Sequence, residues 1–139
     1  MVRLKKAFNS GFYLEAIFIE YAVIEDRLES MLRHSGKFNP RPNEHWGIER
    51  KLTKVEKLAE QKKSLAARYF PLDLTSAVRE WKEDRNRLIH ALLKQSLQDE
   101  ELMHCAETGQ DLVKRISNKV TSYKRALERE ETKRKEKTI

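Results

Sequence analysis

Apolar residues recur along this chain at three- and four-residue steps, with no sustained alternation. The series Leu14, Ile17, Phe18, Tyr21, Ile24, Leu28, Met31, Leu32 keeps one side of a helix apolar. It predicts a first helix from about Ser10 or Phe12 to His34, with Ser10 as candidate cap and Gly36 as the stop. Segment 36–42, with Asn39-Pro40 and Pro42, reads as a loop. A second helical region spans about 44–70, its inner face made by Ile48, Leu52, Val55, Leu58 and Ala59; Ser64 caps a separate short helix through Tyr69, and Pro71 breaks the chain. A third helix is predicted from Asp73, an N-cap, to about Gln95, with the stripe Leu74, Val78, Trp81, Arg85, Leu88, Leu92. A fourth starts near Gln98 or Asp99, with acidic residues where the helix dipole favours them, and buries Leu102, Cys105, Ala106, Leu112, Val113, Ile116, Val120, Tyr123 and Leu127. The pattern predicts an all-α, up-and-down bundle of four helices, five with the short one. Residues 1–127 form one domain in this reading, and 128–139 a charged tail, frayed or disordered.

Composition agrees with few, long helices: the 139 residues include only 4 Gly and 3 Pro. The single cysteine, Cys105, excludes an internal disulfide and a cysteine zinc cluster, and fits a reducing compartment. No run approaches the ~20 apolar residues of a membrane span. Glu15 and Glu20 interrupt the apolar run after the basic start, so 1–21 reads as a helix start and not a secretion signal. The expected location is the cytoplasm. The net charge of +7 raises the expectation of a polyanionic partner, although much of the Lys and Arg alternates with Glu, as on any solvated helix face.

Arg85 breaks the third stripe, standing where a Leu or Val belongs. A guanidinium there needs a partner, a pocket, or a route to solvent at the core's edge. Asn86 follows it, and His90 lies four residues beyond Asn86, on the same helix face. A fixed cation, an amide and an imidazole at one border suit a phosphodiester. Arginine holds two non-bridging oxygens at once, and histidine moves a proton near neutral pH. The chain shows no clustered carboxylates or histidines for a metal, no glycine-rich phosphate loop and no nucleophile elbow.

The run EDRNRLIHALL resembles the signature of the HEPN superfamily: an arginine, usually a polar residue next, and a histidine after four to six intervening residues, here four. Length, helix content, the long first helix and the placement after AVREW are similar as well. The resemblance implies a metal-independent endoribonuclease without a cofactor, acting on RNA as a homodimer whose two signatures share a cleft. It assigns catalysis to Arg85 and His90, with Asn86 beside them. It also implies a toxin or defence role, with a nucleotidyltransferase-type antitoxin as a partner. Some such proteins are non-catalytic RNA-binding or assembly modules, which is the alternative reading. A third is a plain helical interaction protein in which Arg85 and His90 are structural.

Two readings stand for Glu25. Either it receives Arg85 across the bundle, or Ile24 is the core residue and Glu25 borders it. Glu20 and Asp84 are further candidates for the supporting carboxylate. Arg33, Lys37 and Arg41 beside the first loop are candidate RNA contacts, together with His34 and His45, although loop residues of this kind are more often merely solvated.

Overall fold

The computed structural model describes residues 3–4, 11–94 and 99–138. Among them the regular structure is entirely helical: α1 (Tyr13–His34), α2 (Ile48–Ala59), α3 (Leu65–Tyr69), α4 (Leu72–Leu93) and α5 (Asp99–Lys137). The apolar periodicity predicts the all-α bundle, but the expected up-and-down course is not what forms: loop 35–47 returns the chain without a helix, so α2 runs in the same direction as α1, and α4 opposes α1, α2 and α5.

Helix ends follow local chemistry. Phe12 stands at the N-cap of α1 without a side-chain bond; Ser10 lies outside the described residues. After α1, Gly36 adopts a left-handed φ of 69°, and the next amide, Lys37 N–H, donates back to the Leu32 carbonyl at 2.9 Å. Ser64 caps α3 as expected, its Oγ accepting from Ala67 N–H at 3.1 Å. The sequence predicts Asp73 as the cap of α4, but the helix begins earlier. Pro71 occupies the cap position, its ring-fixed φ of −66° leading into the first turn, and Asp73 lies inside that turn, facing the positive end of the dipole. Helix α4 ends at Leu93, and Gln95 and Gln98 lie outside the described residues.

Helices α1 and α5 form the longest seam. Glu20 of α1 faces Gly109 of α5, and further along Ser35 Oγ lies 2.7 Å from the Tyr123 hydroxyl, so the two helices run in the same direction. This is possible because loop 35–47 carries the chain back without a helix. Ile17, Ile24, Leu28 and Met31 of α1 meet Val113, Ile116 and Val120 of α5 in a core closed by Phe70 and, from α4, Leu74, Val78, Trp81 and Leu88. Phe18 and Tyr21 border this core, and Leu92, the last member of the α4 stripe, is 38% exposed.

Two ionic ties hold α2 in place. Lys51, buried to 3% exposure, reaches Glu25 at 3.0 Å and Glu29 at 3.2 Å on α1. Arg79 of α4 grips both carboxylate oxygens of Glu56, at 2.7 and 2.9 Å, and one of Glu49 at 2.8 Å, while Lys82 also reaches Glu49. Hydrogen bonding by Arg79 outweighs burial and holds the Glu56 carboxyl below its usual range. The apolar stripe of α5 ends at Leu127, yet the helix continues to Lys137 with every residue from Glu128 exposed. This charged end is therefore helical, with Lys135 placed 3.6 Å from Glu131 one turn away.

Gly109 sets the α1/α5 approach. A methyl at this position would meet the Glu20 carboxyl carbon at 2.7 Å and the Trp81 ring at 2.8 Å, so the buried Glu20 side chain and the indole would both have to shift. Gly109→Ala should therefore destabilise the protein by about 1–3 kcal/mol through overpacking, despite the ~1 kcal/mol by which Ala exceeds Gly in helix propensity. Urea unfolding checks this. In a Glu20→Ala background, where the Glu20 part of the clash is gone and the Trp81 contact remains, the same substitution should cost less. An equal cost in both backgrounds would disconnect Gly109 from Glu20.

Candidate functional site

The Arg85 corner is built by α1 and α4, with α5 behind it. Trp81, one turn before Arg85, is 3% exposed and donates its indole N–H to the Cys105 carbonyl at 2.9 Å. That bond fixes α4 against α5. It also fixes the azimuth of α4, so that Arg85 emerges at the edge of the core and not within it. The guanidinium carbon lies 3.9 Å from the Tyr21 ring centre and 5.5 Å from that of Phe18. Stacking over an aromatic face is a favourable seat for a delocalised cation. Arg85 Nη1 donates to Asn86 Oδ1 at 3.0 Å. Among the described residues, Arg85 makes no ion pair.

Asn86 and His90 are both exposed, four residues apart on the outer side of α4. Asn86 and His90 thus face solvent, while Arg85, half-buried on the Tyr21 side of α4, reaches round to Asn86: a seated cation without a counter-ion among the described residues, an amide that touches it, and an imidazole open to solvent one turn on from that amide. This arrangement can accept an anion at Arg85 and exchange a proton at His90.

The supporting carboxylates stand elsewhere than the first reading of Glu25 has them. Glu25 does not receive Arg85. It is taken by Lys51 at 3.0 Å, with His45 at 4.0 Å, while its neighbour Ile24 is fully buried, so Glu25 borders the core on the side of α2. One residue is 100° of helix, enough to turn Glu25 away from α4. Asp84 is half-buried and bonds Arg87 at 3.1 Å. Glu20 is the carboxyl that enters the interior. It is fully buried, and neither oxygen has a hydrogen-bond partner. Desolvation raises its pKa to about 9, so it is protonated at neutral pH. The Nε of Arg85 is likewise buried without an acceptor. The signal for Glu20 lies in its spacing, three residues after Ile17 and four before Ile24. Nothing in the sequence marks Phe18 and Tyr21 as the seat of Arg85.

The first loop forms a separate basic region. Arg33 bonds Glu29 at 3.1 Å and covers the Phe38 ring at 4.4 Å; Lys37 and Arg41 are exposed. Burial pushes the Glu29 carboxyl up, but bonds from Lys51 and Arg33 outweigh this and hold its pKa below the ordinary value. Arg33 is twelve residues beyond Tyr21 on α1, about 18 Å along the axis. The structure does not bring this loop to the Arg85 corner. His34 is tied to the Ser30 carbonyl at 2.7 Å. His104 lies in an α4/α5 groove with Glu80, Asp84 and Asp111. Among the described residues no group of three or more His, Cys, Asp or Glu could hold a metal ion, and no helix is long and apolar enough to cross a membrane.

No family model, curated protein or solved structure matches this chain.

The Glu20 carboxyl has a signed consequence for stability. Between the ordinary carboxylate value of 4.5 and about 9, the folded protein holds a proton on Glu20 that the unfolded chain has released. Stability due to this group is thus fully present below 4.5 and falls as pH rises through that window, by about 1.4 kcal/mol per pH unit. Glu20→Gln removes the linkage. Urea titrations at pH 5, 7 and 8.5 should show the variant gaining on the wild type as pH rises; a constant difference would mean that Glu20 is not held neutral.

Proposed function

We propose that this protein is a metal-independent endoribonuclease of HEPN type that cleaves RNA through the 2′-hydroxyl. The observation that carries the reading is Arg85: a guanidinium seated on Tyr21 and bonded to Asn86, with no ion pair among the described residues. A cation held in place but not neutralised is suited to an anionic ligand, because no internal salt bridge has to break first. The resemblance of the EDRNRLIHALL run to the superfamily signature adds the expectation of RNA.

In this reading Arg85 holds the scissile phosphate with two donors and stabilises the charge of the phosphorane. RNA supplies the nucleophile. His90 takes the 2′-hydroxyl proton or protonates the leaving 5′-oxygen, and the 2′-oxygen attacks phosphorus as the P–O5′ bond breaks. The products carry 2′,3′-cyclic phosphate and 5′-hydroxyl ends. Asn86 keeps the guanidinium oriented. Lys37 and Arg41, with Arg33 where its Glu29 bond yields, serve flanking phosphates away from the reacting centre.

The same reading makes the protein a homodimer with two signatures around one cleft. A single α4 border offers no concavity, whereas two copies around a twofold axis would enclose one. Exposed apolar side chains support this: Phe18, beside Arg85, is 48% exposed, and Leu92, two turns beyond Arg85 on α4, is 38% exposed. A toxin or defence role in the cytoplasm, with a nucleotidyltransferase-type antitoxin, belongs to the same proposal.

The test is incubation with mixed RNA in EDTA. RNA should be cut to cyclic-phosphate ends while DNA survives. His90→Ala should lower the rate by about 10²–10⁴-fold, and Arg85→Ala at least as far, with circular dichroism unchanged in both. Cleavage that vanishes with EDTA, or that persists in both variants, sinks the mechanism. RNA bound but never cut leaves a non-catalytic binding module. A strict monomer by light scattering at tens of micromolar overturns the shared cleft.

A further inference from the structure

Three unsatisfied polar atoms lie in the interior among α1, α4 and α5: both carboxyl oxygens of Glu20 and the Nε of Arg85. The two residues are complementary, acceptor and donor. Buried groups without partners cost free energy, and it is uncommon for two that could satisfy each other to remain open within one junction. Their surroundings overlap. Arg85 rests on Tyr21, the chain neighbour of Glu20. Glu20 lies in the Gly109 notch against Trp81, one turn before Arg85 on α4. The Cys105 thiol, buried one turn before Gly109, feels the charges of both Glu20 and Arg85.

We propose that Glu20 is a positioning residue for Arg85: its carboxylate is the inner partner to which the guanidinium turns when it leaves the Tyr21 face, so that Glu20 and a bound phosphodiester compete for one side chain. The inference rests on the reading of Arg85 as the anion-holding residue. With Glu20 protonated, nothing draws the guanidinium inward, and it stays outside on Tyr21 and Asn86, ready for a phosphate. With Glu20 ionised, a bare carboxylate stands in a dry junction, and the nearby unpaired Nε–H is the donor that relieves it. The geometry allows this, because Nε is already buried and unpaired while Nη1 is bonded to Asn86.

The other titratable groups of the junction do not interfere. On α5, burial first, then the charges of Asp84 and Glu20, push the Cys105 thiol up to about 11, so it remains protonated while Glu20 titrates. On α4, Asp84 is bonded to Arg87. On α1, Tyr21 meets Arg85 through its ring. Ionisation of Glu20 is thus the event that switches Arg85, and it shuts the site as the solution becomes alkaline.

The test uses the full-length protein and a 2′-O-methyl RNA oligonucleotide, which binds but cannot be cut. Wild type should lose about four-fold in affinity between pH 7 and pH 9.5 at constant salt, as the protonated fraction of Glu20 falls to about a quarter, and Glu20→Gln less than two-fold. A second measurement needs no variant and no ligand: the Arg85 ζ-carbon resonance should move with the same midpoint as the Glu20 δ-carbon. An Arg85 resonance that stays fixed while Glu20 titrates overturns the proposal, as does an equal loss of affinity in Glu20→Gln. RNA that is never cut, with this pH-dependent binding intact, overturns the nuclease reading and supports the positioning role.

Discussion

The missing side chain at Gly109 governs the corner on which the functional reading turns. It lets α1 and α5 approach until a glutamate, in place of a hydrophobe, fills the space between them against Trp81. Trp81 in turn is pinned by its indole N–H to the Cys105 carbonyl, one turn earlier on α5. These contacts fix the height and rotation of α4. Arg85, the next residue of the same stripe, is thereby carried to the rim, where Tyr21 receives it. The position of the cation is a consequence of packing three helices away from solvent, which gives it a rigidity that a loop arginine would lack.

Stabilising charges and candidate functional charges are kept apart. Lys51, Arg79 and Lys82 are all consumed by glutamates that join α2 to α1 and α4. These cations are committed to architecture. Arg85 differs from them in one respect only: its seat is aromatic and amide, with no carboxylate. An aromatic face holds a guanidinium without cancelling its charge, whereas a carboxylate would hold and neutralise it together.

The helices were legible in the sequence because burial repeats with helical period, and Ser64 could be identified as a cap because hydroxyl capping is local. Arg85, Asn86 and His90 were legible as a constellation, since a charged residue on an apolar stripe stands out. The choice among carboxylates was not. Glu20 and Glu25 both fall near the seam of α1, and only the rotation of that helix against two neighbours sends one to the interior and the other to Lys51. That rotation depends on Gly109, some ninety residues distant in the chain. The aromatic seat was hidden for a similar reason: Phe18 and Tyr21 satisfy a core stripe as well as a rim, and the first-loop cations look close to everything until α1 is given its length.

Cys105 has a consequence of another kind. It is the chain's only sulfhydryl, it is 1% exposed, and it lies behind the Trp81 tie that locks α4 to α5. A thiol reagent can reach it only while that tie is undone. The rate at which the native protein is alkylated, under conditions where reclosing is faster than reaction, is thus a readout of the fraction of time α4 spends lifted from its neighbours. The fold carries its own reporter of breathing, at the joint that holds Arg85 in place.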